Sequence, residues 1–181
     1  MPRAAQRFWL LKSEPEVLAF DDLWAAPGRR TMWDGVRNYQ ARNFLRDSLA
    51  LGDQVLFYHS NAEPTGVAGI AEVASGPYPD PTQFDTRHSG FDPKSTRENP
   101  TWFALDIVAL RALERVVTLD ELKRNPRLAK MVLVQRGSRL SVQPVTREEF
   151  GEVLRMAAAE APRSAANGSS APAKKHAKRA R

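Results

Sequence analysis

Cysteine is absent from this chain. Its absence excludes a disulfide framework, a thiol nucleophile and a thiolate metal site. Histidine is scarce: His59, His88 and His176 lie far apart, and no pair has a helix-face ligand spacing, so no metal site is expected. No apolar run approaches the ~20 residues needed to span a bilayer. The N-terminus lacks the basic-then-apolar pattern of a secretory signal. An intracellular, cytoplasmic protein is the expectation, nucleoid-associated if bacterial. There is no phosphate loop of the Gly-x4-Gly-Lys-Ser/Thr form, no Gly-x-Gly-x-x-Gly dinucleotide turn and no Gly-x-Ser-x-Gly nucleophile elbow. A Ser-His-Asp set assembles in space, so sequence alone leaves it open. His59 beside Ser60 is no evidence for one, because neighbours on a strand point to opposite faces. Catalysis has no positive support, and the chain is expected to be neither an enzyme nor the carrier of a cofactor.

What is present suits one domain. A chain of 181 residues with 42% hydrophobic content is long enough for a real core and short for two. The net charge of +6 is unevenly placed. Residues 158–181 hold Arg163, Lys174, Lys175, Lys178, Arg179 and Arg181 against Glu160, which accounts for +5 of it. The first 157 residues are therefore nearly neutral. Broad, charge-driven coating of nucleic acid by the domain itself is disfavoured, and recognition should be local. The tail is rich in Ala, Pro, Ser, Lys and Arg and cannot bury enough surface to fold alone. It reads as a basic arm that binds nucleic acid non-specifically, with a solubilising tail as the alternative.

Residues 1–157 read as mixed α and β. Phe8-Trp9-Leu10-Leu11 predicts a buried strand stopped by Ser13-Glu14-Pro15. Asp21 to Ala25 predicts a short helix ended by Pro27-Gly28. Asn38 can cap a helix through about Leu49, with Ala41, Phe44, Leu45 and Leu49 on one face. Gln54–Tyr58 and Gly66–Val73 predict strands, and Trp102–Val117 a long strand or two. Thr118 with Glu121, and Thr146 with Glu149, match the capping box. Arg139–Gln143 alternates as a half-buried strand. Gly76–Pro100 has five prolines and no period, and a loop of that length is usually functional or mobile. Short strands with irregularly placed helices fit an α+β fold, a small bent sheet or barrel flanked by helices.

One segment is chemically dense: Trp33-Asp34-Gly35-Val36-Arg37-Asn38-Tyr39-Gln40-Ala41-Arg42-Asn43-Phe44. Its aromatics can stack on a flat polar ring, its amides can read the ring edge, and guanidinium can hold phosphate. For Phe57 and Trp102 a core role is the better reading. His59-Ser60-Asn61 is equally a turn or a polar rim. Lys12-Ser13-Glu14 is a surface turn unless it meets the others.

Four ordered motifs carry a resemblance: Trp9 to Pro15, Trp33 to Asn43, Phe57 to Asn61 and Ser138 to Val145. With Asp92-Pro93-Lys94-Ser95 they resemble the EVE domain of thymocyte nuclear protein and its bacterial relatives, over about Phe8 to Met156. The resemblance implies a PUA-like fold, a small bent β-barrel flanked by helices, similar to the YTH domains that hold a methylated base in an aromatic cage. It also implies a non-catalytic reader of a modified base, a methylated or hydroxymethylated cytosine in DNA taken into a pocket after base flipping. On that reading Trp33 stacks on the base, with Trp9 or Tyr39 as a second wall. Ser13, Asn38, His59, Ser60 and Asn61 read its edge, and Ser141 lies near the pocket floor. Lys12, Arg42 and Arg139 hold phosphate. Two other classes remain open. One is an RNA-binding module. The other is an enzyme on a modified base, a glycosylase or restriction component, for which Asp34 or Glu14 would be the acid or base.

Overall fold

Two apolar cores lie on opposite faces of one sheet, and the strand sequences show why. In a computed structural model, which describes residues 5–159, β1 (Phe8–Ser13) pairs in parallel with β3 (Gln54–His59). Successive side chains on a strand point to opposite faces. Trp9 and Leu11 therefore join Val55 and Phe57 in one core, while Phe8 and Leu10 join Leu56 and Tyr58 in the other. This is why both strands read as unbroken apolar runs: both faces are covered.

β3 continues antiparallel into β4 (Gly66–Val73), which pairs with the 16-residue β6 (Phe103–Thr118). The β2 strand (Arg30–Trp33) lies beyond β6, and β7 (Val142–Val145) beyond β1. The short β5 (Tyr78–Pro79) also pairs with β6. The order β2-β6-β4-β3-β1-β7 does not close. The expected small barrel is thus an open mixed sheet. Register shifts between Val67 and Gly69 and between Ile70 and Ala71 mark bulges, which bend a strand and raise its twist. Gly69 sits where the Phe20 ring packs onto the sheet; a Cβ there would lie 2.3 Å from that ring.

Helices cover each face. On the first are α1 (Pro15–Leu18), α2 (Phe20–Ala25) and α3 (Tyr39–Asp47). Leu23, Ala41 and Leu45 reach the core from α2 and α3. Asn38 starts α3: its side-chain oxygen accepts from the N–H groups of Gln40 (2.9 Å) and Ala41 (3.0 Å). On the second face, α4 (Leu119–Arg124) and α5 (Arg147–Ala158) both open with the expected capping boxes. Leu122, Phe150 and Val153 fill that core. The basic tail lies outside the described residues, apart from its first two alanines, and Ala158 closes α5. No described helix is long and apolar enough to cross a membrane.

The Pro-rich segment 76–100 is fastened at three points. Asp80 is fully buried and accepts from the Gly35 N–H (2.9 Å), the Arg37 guanidinium (2.8 Å) and both the amide and hydroxyl of Thr82. Gln83, also fully buried, bonds the backbone of Asp80, Thr101 and Trp102. The Trp102 indole N–H donates to Asp92 (2.8 Å). Burial alone would raise the Asp80 pKa, but the Arg37 guanidinium, Thr82 and the Gly35 amide outweigh it and hold the carboxyl below its ordinary range. Removing one partner of a buried pair leaves the other charge uncompensated. Asp80→Ala should therefore cost roughly 3–5 kcal/mol in urea unfolding at pH 7. Because the folded pKa is the lower one, the contribution is present above about pH 4 and lost as pH falls through the folded value. A loss below 1 kcal/mol at pH 7, or no narrowing of the difference in acid, would contradict this account.

Candidate nucleic-acid interface

The C-terminal ends of β1 and β3 lie side by side, with Lys12 opposite Tyr58 and Ser13 opposite His59. The polar residues that follow them are thereby gathered at one edge. The Ser60 N–H donates to the Ser13 carbonyl (2.9 Å), and the Ser13 hydroxyl donates to the Leu18 carbonyl (2.8 Å). Asn61 adopts a left-handed conformation (φ 49°) and donates from Nδ2 to Glu14 (2.8 Å). His59 Nε2 accepts from the Phe20 N–H at 3.0 Å. In the neutral ring the proton then sits on Nδ1, which becomes a donor. Burial, opposed by the charge of Asp21, keeps the His59 pKa below its ordinary value.

Against this edge stands the turn 135–141. Gln143 is buried and its Nε2 donates to the Ser138 hydroxyl and the Leu140 carbonyl, both at 2.9 Å. The Ser141 carbonyl accepts from the Lys12 N–H (2.9 Å), and the Ser138 carbonyl from Lys12 Nζ (3.2 Å). Gly137, at φ 77°, makes the left-handed turn between Arg136 and Ser138. Two clefts flank the turn. One, of about 610 Å³, is lined by Lys12, Tyr58, Lys123, Arg136, Ser138 and Arg139 among others. The second, of about 360 Å³, adds Asn38, Gln40 and Leu140 to the same turn. Neither is lined by a carboxylate. Among the described residues none of these four cations, Lys12, Lys123, Arg136 and Arg139, is ion-paired, so in a nearly neutral domain this surface is locally positive. Half-burial lowers the Lys12 pKa. Burial also pushes the Tyr58 hydroxyl up to about 12, so it stays a neutral donor.

The structure brings Lys12, Ser13, Asn38, His59, Ser60, Asn61, Arg139 and Ser141 to this end of the molecule. The other four expected residues are placed differently. Trp9 is at the far end of β1, 4% exposed, packed on Phe44 and donating from Nε1 to Asp53 (2.9 Å). Its alternation with Leu11 places it in the first core, so it walls no cleft here. Tyr39 projects into solvent beside Trp102, and Arg42 lies against Tyr39, donating to the Thr101 carbonyl (3.1 Å). Trp33 is 6% exposed and meets Phe57 edge to face with centroids 5.9 Å apart. Its Nε1 is buried without a partner, as is Gln143 Oε1. The segment 33–44 is therefore more structural than its composition implies: Arg37 serves Asp80, and Asn38 spends its carbonyl on α3. The Asp34 carboxyl is raised, first by partial burial and then by the charge of Asp80, and lines neither cleft.

Sequence reasoning misses Lys123, Gln135, Arg136 and Gln40. The run Arg136-Gly137-Ser138-Arg139 is the available signal: two cations around a glycine turn. Lys123 carries none, since it faces the cleft only once α4 is folded onto the sheet.

Residues 7–156 match the EVE domain family. Human thymocyte nuclear protein 1 is 44% identical over 163 residues, spanning 81% of this chain and 72% of the human protein. A crystal structure of that human protein in complex with 5-methylcytosine-containing DNA covers 86% of this chain and 100% of its own, at 42% identity and a TM-score of 0.81. The YTH domain of Zygosaccharomyces rouxii MRB1, in complex with N6-methyladenosine RNA, covers 90% of each chain at 19% identity and a TM-score of 0.50, a likeness of fold alone. Matched over nearly all its described residues and built on the same open PUA-like α+β sheet, this chain belongs to the EVE domain family.

Proposed function

We propose that this protein binds DNA carrying a methylated or hydroxymethylated cytosine and catalyses no reaction on it. The crystal structure of its human relative with 5-methylcytosine-containing DNA is the observation that carries this reading. The carboxylate-free clefts beside the turn 135–141 supply the phosphate-binding surface it needs. A base inside a duplex cannot be held by its faces and edge, so the target is flipped out or already single-stranded, at a cost of a few kcal/mol. Trp33 offers a buried N–H without a partner. His59 offers Nδ1–H, and the Asn38 amide retains its NH2 group. Cytosine presents ring acceptors to such donors, and a methyl group pressed on an apolar wall adds about 0.8 kcal/mol.

The test is binding to matched strands, DNA and RNA, single and double, with the cytosine plain, methylated, hydroxymethylated or replaced by an abasic site. Modified DNA should bind roughly fourfold tighter than plain. Equal binding by all strands would end the reading, and a preference confined to RNA would replace it with an RNA-binding one. Trp33→Phe keeps an aromatic ring in the core but removes the donor together with part of the indole, so the abasic strand serves as the control for the lost volume. It should weaken binding about three- to tenfold on strands with cytosine and leave the abasic strand unchanged.

The tail enters the same proposal as a second, weakly bound module. Deleting residues 160–181 should lower affinity for all strands. It should also flatten the salt dependence by about 0.9 for each duplex phosphate that the tail no longer neutralises. The ratio of modified to plain should persist; loss of that ratio would show the tail to be part of the reading site. For His59, an NMR titration should find a pKa below 6.5, with the neutral ring protonated at Nδ1. Below pH 6.5 the unfolded state takes up this proton more readily than the folded one, so stability declines toward acid and is complete above it. A His59 pKa above 6.5 would contradict a ring whose charged form is disfavoured by burial.

A further inference from the structure

Tyr39 stands at the start of α3 with 61% of its surface exposed, in a domain that buries most of its aromatic rings. The ring is not loose. It rests on Trp102, with centroids 5.0 Å apart and planes inclined by 33°, and the Arg42 guanidinium lies 5.0 Å from its centroid. Arg42 is itself held by the Thr101 carbonyl and by two bonds to Asn43 Oδ1 (2.8 and 3.0 Å). Trp102 is anchored through Asp92 and Gln83. The platform is thus fixed from beneath while much of its surface faces water. Its two chain neighbours, Asn38 and Gln40, both line the smaller cleft. The start of α3, from which Tyr39 projects, therefore forms part of the rim of that cleft.

We propose that Tyr39 is a second stacking site, for the nucleobase adjacent to the one being read, with Arg42 on the intervening phosphate. The inference rests on the nucleic-acid-binding reading above and extends it to a neighbouring nucleotide. Aromatic stacking accepts any base, so this contact adds affinity and positions the strand without contributing to the choice of modification. It also favours a strand whose neighbouring base is unstacked. A residue serving only to cover Trp102 would make a different demand, since any apolar side chain of similar size would do.

That difference sets the experiment. The full-length protein is titrated into single-stranded DNA with 5-methylcytosine or plain cytosine, carrying 2-aminopurine immediately 5′ or 3′ of it. Wild-type protein should quench or shift the 2-aminopurine at one of the two positions. Tyr39→Phe should retain the effect. Tyr39→Leu, which keeps cover over Trp102, should lose it and weaken binding about tenfold on both strands alike, with melting temperature and circular dichroism near wild type. Absence of any change at either position in the wild-type protein overturns the assignment. So does unchanged affinity in Tyr39→Leu, or loss of the methylated-to-plain ratio, which would make Tyr39 a wall of the reading pocket. If methylated and plain strands bind wild type equally, the modified-base reading fails, while the Tyr39 signal on plain DNA still decides this proposal.

Discussion

The buried Asp80 carboxylate is the constraint on which the start of α3 and the Pro-rich segment depend. It joins two pieces of chain that no regular ladder connects: the turn through Gly35 and Arg37, and the Pro-rich segment at Asp80 and Thr82. A buried carboxylate is costly unless its oxygens are occupied, and here several donors occupy them. The consequence reaches further than the ion pair. Fixing Arg37 fixes where Asn38 caps α3, and the direction of α3 decides where Asn38, Tyr39 and Gln40 point. Gln83 and Asp92 extend the same network under Trp102, on which Tyr39 rests.

A second division of labour follows from the sheet. The open sheet gathers the ends of β1 and β3, while Gln143, reaching out of β7, ties down the turn 135–141. Charge is then concentrated where the backbone has already been shaped. The domain is close to neutral as a whole, yet four cations face two clefts without a carboxylate among the lining residues. Such an arrangement confers a local potential without general stickiness toward polyanions, because distant charges are screened within about 10 Å at ordinary salt.

Much of the fold is legible in the sequence for identifiable reasons. Strand periods, glycine turns and hydroxyl–glutamate capping pairs are local signals, and β1, β3, β4, β6, α3, α4 and α5 carry them. Closure is not local. Whether β2 and β7 meet depends on accumulated twist and on bulges at Gly69 and Ile70, and neither residue announces one. The site is legible in part: Lys12, Ser13, His59 and Asn61 follow from strand ends. Trp33 reads as a stacking face and the segment's guanidinium groups as phosphate holders, because composition cannot show that a carboxylate more than 40 positions later will engage Arg37. Trp9 reads with its neighbours in sequence, yet strand alternation sends it to the opposite end, toward Asp53. The Pro-rich segment has no period to read because side-chain bonds hold it in place of a ladder.

The unpaired indole N–H of Trp33 bears on how such a pocket can discriminate at all. A buried donor without a partner costs about 1–3 kcal/mol in the free protein. A ring that displaces the cover over this N–H on entering, and supplies an acceptor to it, would recover that energy. The stability given up by the free protein therefore becomes affinity available only to a ligand with an acceptor in the right place. A methyl group alone is worth about 0.8 kcal/mol and discriminates weakly. Coupled to a base whose entry is itself conditional on that donor, the same small difference is read against a background from which most other occupants are excluded. Burial of Trp33 is consequently compatible with a reading role, and the orphaned donor is more informative than an exposed stacking face would have been.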